Sequence, residues 1–363
     1  MMQVSFRKRG IILPLAAFIL MAIYFYFLGP QGVLDKLTHI NIEFIILIIV
    51  IQLTGAFFVS LAWRLFLQVV KIRASIWEVY SVYLASFGYG LLIPSMSAVE
   101  TAIRIDMSKK IFGRNSRGKN PVDSSTVLSS IVLHKMIGGL VNIPVLLLIS
   151  YSLVVYFELP PSWALAFMIV TTSFLSIMLL TVVAISYSPE KASRFIKSLL
   201  RWLAKILPPV ARRKAVWEEK VEKFAFDYHH NFKILAHHWK RAIAAGFLVL
   251  TAILMSWINL YLLILALSVD IEIFVMIAVS FIGSTLNSLP LGIPGMEGIK
   301  EILVSESLRS FLSSHESGAI ALLYSFIKFY VPVTAAILIS LLFGIKPSNR
   351  QKITEEKEKE IAV

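Results

Sequence analysis

Long apolar runs constrain this chain more than any other feature. Ile11–Leu28, Ile42–Leu67, Thr126–Phe157, Trp163–Tyr187, Ala242–Leu267 and Gly318–Phe343 are each nearly free of charge. Each reaches the ~18 residues at which an apolar stretch reads as a membrane-spanning helix. Hydrophobic residues make up 57% of the chain and charged residues 16%, against roughly 25% charged in an ordinary soluble protein. Mean hydropathy is +0.78. A water-soluble fold cannot hide so many long apolar helices, so the composition dictates an all-α polytopic membrane protein. The absence of cysteine excludes disulfides, thiolate catalysis and thiolate metal sites. The first run follows Arg7-Lys8-Arg9, as a signal peptide would. Bulky Tyr24, Phe25, Tyr26 and Phe27 stand where small cleavage-site residues belong, which favours a retained helix.

The basic residues set the orientation, because Lys and Arg collect on the cytoplasmic side. A basic N-terminus starts inside, and the first helix exits to a loop over 29–41 with Lys36 as its single base. The second helix returns to Lys71 and Arg73. Residues 104–119 carry six bases against one acid, Asp106, and are also inside. The segment 74–103 therefore begins and ends on one side and is expected to form a re-entrant hairpin. The stretch 188–241, with thirteen bases against five acids, is again inside. The helix after it exits to Asp270 and Glu272, and the last run ends at Lys346, Arg350 and Lys352. Segment 273–317 must then be a second hairpin, inserted from the opposite face. The expectation is about six full spans plus two oppositely inserted re-entrant helical hairpins, a possible inverted repeat of the kind found in transporters. They form a single transmembrane domain over 11–343, followed by a charged tail, 347–363. Both termini are expected in the cytoplasm, with the protein in the plasma membrane.

Charged side chains inside apolar segments cost ~2.5–3.5 kcal/mol each on insertion scales and are functional candidates by default. In the first hairpin Pro94 breaks the incoming helix, and Glu100 and Arg104 lie four apart on one face of the outgoing one. They could contact a charged head group or form an internal pair at the interface. In the second, Pro290 and Pro294 stop the incoming helix and Gly292, Gly295 and Gly298 permit close backbone approach. Free N–H groups at Gly295 and Gly298, with Lys300 beside them, would suit an anion, and Glu301 could balance Lys300. An ordinary Gly/Pro turn is the bland alternative. His134 and Lys135 interrupt the run 126–157, where Lys135 could face the cavity or reach the inner surface. Arg64 and Lys328 read as interfacial anchors, although Lys328 could face inward. The remaining histidines show no metal-ligand spacing, and no metal or cofactor is expected.

Within 188–241, Phe195, Ile196, Leu199, Leu200 and Trp202 alternate with Arg194, Lys197, Arg201 and Lys205. That pattern fits an amphipathic helix on anionic inner-leaflet lipid, at roughly 1 kcal/mol per well-placed base, better than it fits nucleic acid. There is no phosphate-binding Gly-rich Lys-Ser/Thr loop, no nucleophile elbow and no His-Glu-x-x-His pair. No polar stretch is long enough for a comfortable catalytic domain, so enzymatic activity is not expected.

The two hairpin motifs resemble those of the integral-membrane, flippase-like family named for the transmembrane domain of lysylphosphatidylglycerol synthases. Pro294-Gly-Met-Glu-Gly-Ile-Lys-Glu301 is similar to that family's Pro-Gly-Gly-x-Gly-Val-Arg-Glu, with Met296 in place of Gly and Lys300 in place of Arg. Pro94 to Glu100 and Arg104 resembles its Pro…Gly-Glu…Arg signature, with Val99 for Gly and the Arg one residue late. His134-Lys135 stands where the family tends to carry Glu-Arg. The resemblance implies movement of a lipid or lipid-linked, phosphate-bearing saccharide across the bilayer, alone or beside a glycosyltransferase or lipid synthase. Site residues expected on this reading are Glu100, Arg104, His134, Lys135, Gly295, Gly298, Lys300 and Glu301. Two alternatives are a small-solute or ion-coupled transporter using the same hairpins, and a non-transporting membrane partner that holds an enzyme through its basic insert.

Overall fold

The computed structural model describes residues 18–92, 98–115, 122–156, 187–206, 214–269, 296–309 and 311–343, with scattered positions between 169 and 185 and between 271 and 280. Among them the regular structure is helical, with no strand. Four helices are long and apolar enough to cross a membrane: Ile42–Val69, the Ser124–Val145 part of a longer helix, Trp239–Ala266 and Ser314–Leu342. A fifth crossing arises if the bent pair Phe18–Leu28 and Pro30–Thr38 is one span. Large apolar side chains point outward along these helices, among them Ile46, Val50, Phe247, Leu254, Leu338 and Leu341. Water would penalise that belt and lipid tails accept it, so the chain is a multi-pass membrane protein. The expected span at 163–187 falls largely outside the described residues.

The chain begins with α1 (Phe18–Leu28) and α2 (Pro30–Thr38), which meet at 86°. Here the expectation of a loop over 29–41 is corrected. Gly29 takes φ +85°, which turns the chain, and Pro30 then sits at the first helical position, where its missing N–H costs nothing. Next come α3 (Ile42–Val69), capped by the Asn41 side chain on the Glu43 amide at 2.9 Å, and α4 (Ile76–Leu92), started by a reciprocal Ser75/Glu78 capping box. Then follow α5 (Ala98–Asn115) and α6 (Ser124–Tyr156). Asp123 holds the first turn of α6 through the Ser125 and Thr126 amides, at 3.0 and 3.2 Å. The rest is α7 (Pro189–Ile206), α8 (Lys214–His237), α9 (Trp239–Ala266), α10 (Ile299–Leu308), α11 (Ser314–Ser325), a π-helical turn at Phe326–Tyr330, and α12 (Val331–Leu342).

Two helix ends close alike. After α3, Lys71 (φ +61°) lets the Ile72 amide reach the Leu67 carbonyl at 2.8 Å. After α9, Ser268 (φ +55°) lets Val269 reach Ile264. These are six-to-one C-terminal closures built without glycine. The two helices run antiparallel, with the Asn41 amide on the Ala266 carbonyl at 3.2 Å at one end and Gly55 beside Ala252 and Met255 further along.

α4 and α5 pack together as a helical hairpin. Its outgoing limb runs on to Asn115, beyond the expected boundary at 103, because Asp106 and Lys110 pair at 2.7 Å along a continuous helix. The break, 93–97, is outside the described residues. α4 lies antiparallel to α12, with Tyr89 Oη donating to Ser340 Oγ at 3.0 Å. A Cβ on Gly88 would come within 2.3 Å of the Pro332 carbonyl oxygen. Gly88→Val is therefore expected to force α4 and α12 apart at a cost of about 1–3 kcal/mol. Thermal unfolding in detergent measures this, and an unchanged melting temperature would show that the two helices do not meet there.

Of segment 273–317, the structure describes Val275, Met276, Val279 and Ser280, all buried, and residues 296–309 and 311–317, which include the ten-residue α10. The expected break at 281–295 lies outside the described residues, Gly295 included. The last span begins at Ser314, four residues before the expected 318, because Ser313 and Glu316 form a capping box. The basic insert is a pair of packed helices, α7 against α8. Lys197 and Arg201 of α7 pair with Glu222 and Glu218 of α8, while Phe195 and Arg194 stay exposed.

Candidate functional site

Three groups of polar side chains sit where a membrane bundle should be apolar. The first joins α4, α5 and α6. Arg104, one turn beyond Glu100 on α5, is 1% exposed. Its guanidinium bonds the Glu100 carboxylate, donates through Nε to Ser86 Oγ at 3.2 Å, and lies over two rings, Trp63 at 5.0 Å and Tyr83 at 4.9 Å. Planar stacking suits arginine and not lysine. Each desolvated cation–π contact contributes ~0.5–2 kcal/mol. Trp63 is itself fixed by its Nε1 donating to Ser130 Oγ at 3.1 Å. Lys135 reaches down from α6, donating to Thr101 Oγ1 at 2.9 Å and lying 3.6 Å from the second Glu100 oxygen. Glu100 is thus shared by two cations. A Cβ on Gly90 would approach the Glu100 Cβ to 2.9 Å, so glycine there makes room for the carboxylate. His134 is buried with its ring edge-on to Tyr83 at 6.3 Å, beside the group but not in an ion pair.

The second group opens α10. Met296 and Gly298 have φ of +56° and +93°, the left-handed region that glycine enters freely and methionine at a cost of roughly 1–2 kcal/mol. That geometry winds the chain so that the Gly298 amide donates to the Glu301 carboxylate. The expected role of Gly298 as a free donor to an anion is corrected here: its N–H is already taken by the helix's own Glu301. Lys300 lies between two carboxylates, 2.6 Å from Glu297 and 3.9 Å from Glu301, with Phe329 at 6.0 Å. Ser325 Oγ donates to Glu297 at 2.7 Å. Lys300 and Glu301 are each 1% exposed.

The third group centres on Lys328, for which the inward-facing alternative holds and the interfacial anchor does not. Lys328, in the π-helical turn, points inward. Its Nζ donates to Gln52 Oε1 of α3 at 3.0 Å and to Ser256 Oγ of α9 at 2.7 Å. Asn259 Nδ2 donates to the same Gln52 oxygen at 3.0 Å. The widened turn has a local cause. Pro332 has no N–H to offer the Lys328 carbonyl, and the Val331 amide bonds back to Phe326 in the longer π register. Such turns are rare and gather at functional sites.

The three groups share one scaffold. Ser325, touching Glu297, and Pro332, touching α4 at Gly88, are seven residues apart on the same helix, about 10 Å. The π-helical turn with Lys328 lies between them. Among the described residues no set of three His, Asp or Glu side chains could hold a metal ion.

Of the residues expected from sequence, Glu100, Arg104 and Lys135 come together around one carboxylate, and Lys300 and Glu301 around another. His134 stands aside, and Gly295 is not described. Sequence reasoning passed over Glu297, Ser325, Gln52, Ser256 and Asn259. The usable signals were the i, i+3 spacing of Glu297 to Lys300 and the presence of amide and hydroxyl side chains in the middle of apolar runs. No curated protein matches the chain. The family model described as the lysylphosphatidylglycerol synthase TM region matches residues 11–336, a stretch that takes in both hairpins and every charged residue placed above, and the chain belongs to that family.

Proposed function

We propose that the protein moves a phosphate-bearing lipid or lipid-linked substrate across the bilayer, the head group passing the buried charges while the tails stay in lipid. One observation carries the reading. Among the described residues the three polar groups comprise four cations, Arg104, Lys135, Lys300 and Lys328, against three carboxylates, Glu100, Glu297 and Glu301; Arg104, Lys300 and Glu301 are buried and the others partly so. That surplus of one positive charge within the helix bundle is matched by the single negative charge of a phosphodiester. Membership of a family of membrane domains, and polar groups placed on both sides of a π-helical turn, support the same reading. In it the chain performs no covalent chemistry. Its basic end, with Lys71, Arg73 and the helix pair α7–α8, faces the cytoplasm across the plasma membrane, and exposed Arg194 and Phe195 rest on anionic lipid.

The test is head-group accessibility in liposomes containing purified protein, offered fluorescent phosphatidylglycerol, phosphatidylcholine and a polyprenyl-phosphate sugar. One phosphate-bearing class should cross faster than in protein-free liposomes, and Glu301→Ala and Arg104→Ala should each slow it at least ~10-fold, about 1.4 kcal/mol of barrier. Wild-type rates in both variants would remove the site assignment. No translocation of any class would remove the transport reading.

A further inference from the structure

Lys328 is the central residue of the span Ser314–Leu342, with 314–327 on one side and 329–342 on the other. At 1.5 Å per residue it lies about 21 Å from either end of the helix. A cation at that depth is ordinarily paired, yet both of its hydrogen-bond partners, Gln52 and Ser256, are neutral. Among the described residues no carboxylate lies within 4.0 Å of it. The charged neighbour acting on it is another cation, Lys300, itself held by Glu297 and Glu301. An ammonium has three N–H donors and two are committed.

The adjoining Asn259 side chain is 2% exposed. Its Nδ2 donates to Gln52, while its Oδ1 is buried with no hydrogen-bond partner. A spare cationic donor therefore stands near an unfilled buried acceptor, both organised by Gln52. An unpaired buried polar group is costly and marks a place that a ligand can complete. A simple anion would satisfy Lys328 and leave Asn259 Oδ1 empty. A choline phosphate brings no donor for it. An ethanolamine phosphate brings a donor, but also a second positive charge beside Lys328 and Lys300. A phosphate ester whose alcohol carries a free hydroxyl, as in glycerol or sugar phosphates, supplies both halves.

We propose that Lys328, Ser256, Gln52 and Asn259 form a mid-membrane site for the phosphate ester of a hydroxyl-bearing head group, with Lys328 taking a phosphate oxygen and Asn259 Oδ1 the hydroxyl. That the phosphate belongs to a lipid rests on the transport reading above; the site itself does not.

The experiment is equilibrium binding to the purified full-length protein in a neutral detergent. The probes are short-chain phosphatidylglycerol, phosphatidylmethanol, phosphatidylcholine and inorganic phosphate. Wild type should bind phosphatidylglycerol at least ~10-fold more tightly than phosphatidylcholine, and Lys328→Gln should erase that preference. Asn259→Val should weaken phosphatidylglycerol several-fold and leave phosphatidylmethanol, which has no hydroxyl, unchanged. This second variant keeps every charge in place, so it carries the test if Lys328→Gln does not fold. Inorganic phosphate binding as tightly as phosphatidylglycerol, and lost in Lys328→Gln, would keep the site and make free phosphate its ligand. Undiminished binding of both lipid and phosphate in Lys328→Gln, or an Asn259→Val effect equal on both anionic lipids, overturns the proposal. Binding lost in Lys328→Gln while wild type translocates no lipid would retain the site and discard transport. Translocation and binding both intact in Lys328→Gln would do the reverse.

Discussion

Arg104→Ala is expected to destabilise the protein by about 3–5 kcal/mol and to abolish transport, the largest effect of any single substitution described. The change leaves Glu100 with Lys135 at 3.6 Å as its remaining cation, leaves Ser86 Oγ without its donor, and opens a gap between the rings of Trp63 and Tyr83. Arg104→Lys should recover little, because an ammonium has neither the fork that spans Glu100 and Ser86 nor the plane that stacks between two rings. The double replacement Arg104→Leu with Glu100→Gln separates stability from function. Exchanging a buried ion pair for neutral groups of similar volume is often neutral or better, so the melting temperature should return while transport stays lost. A double variant that transports would mean that the pair serves the fold alone.

Lys300→Ala is the second large effect. It removes the cation from between Glu297 and Glu301 and leaves two carboxylates facing each other in a buried space, again at about 3–5 kcal/mol. Adding Glu297→Gln should restore part of that loss, since the repulsion then disappears and Ser325 keeps an acceptor. Glu301 has two jobs that substitution can part. Glu301→Gln retains an oxygen for the Gly298 amide and should preserve the first turn of α10. Glu301→Ala gives up that cap as well, a further ~0.5–2 kcal/mol. Among the Lys300, Glu297 and Glu301 variants, thermal melts in one detergent give the order: the Lys300→Ala protein lowest, the Glu301→Gln protein nearest to wild type. A Lys300→Ala melt equal to wild type would contradict the placement of Lys300 between the two acids.

The long spans were legible because apolar length is a local property. The run Ile42–Leu67 became α3 at Ile42–Val69, and Thr126–Phe157 became α6 at Ser124–Tyr156. Caps explain most of the difference at the ends: Asp123 and Ser313 each start a helix a few residues before its apolar run. Helix α2 was not legible as a helix, since Pro30 reads as a breaker until Gly29 is seen to turn the chain and place the proline at a helix start. The pairing of Glu100 with Arg104 followed from helical periodicity alone. Lys328 did not, because its partners Gln52 and Ser256 lie on helices remote in sequence. Periodicity says which residues share a face, not what that face meets. The loss of Gly298 as a free donor was equally hidden, since the acceptor that claims it, Glu301, looked like a binding residue in its own right.

That the buried charges border one water-reachable path is tested most directly by thiol labelling. The chain has no cysteine, so a single introduced one is an unambiguous reporter. A thiol reacts as its thiolate, which forms in contact with water and not in hydrocarbon. Thr101→Cys beside Lys135 and Ser256→Cys beside Lys328 should react with a membrane-impermeant maleimide in proteoliposomes. Ile46→Cys and Leu254→Cys, on the outward apolar faces of α3 and α9, should stay unlabelled over the same period. Equal and negligible labelling at all four positions would contradict the path and leave the charged groups as sealed structural pairs.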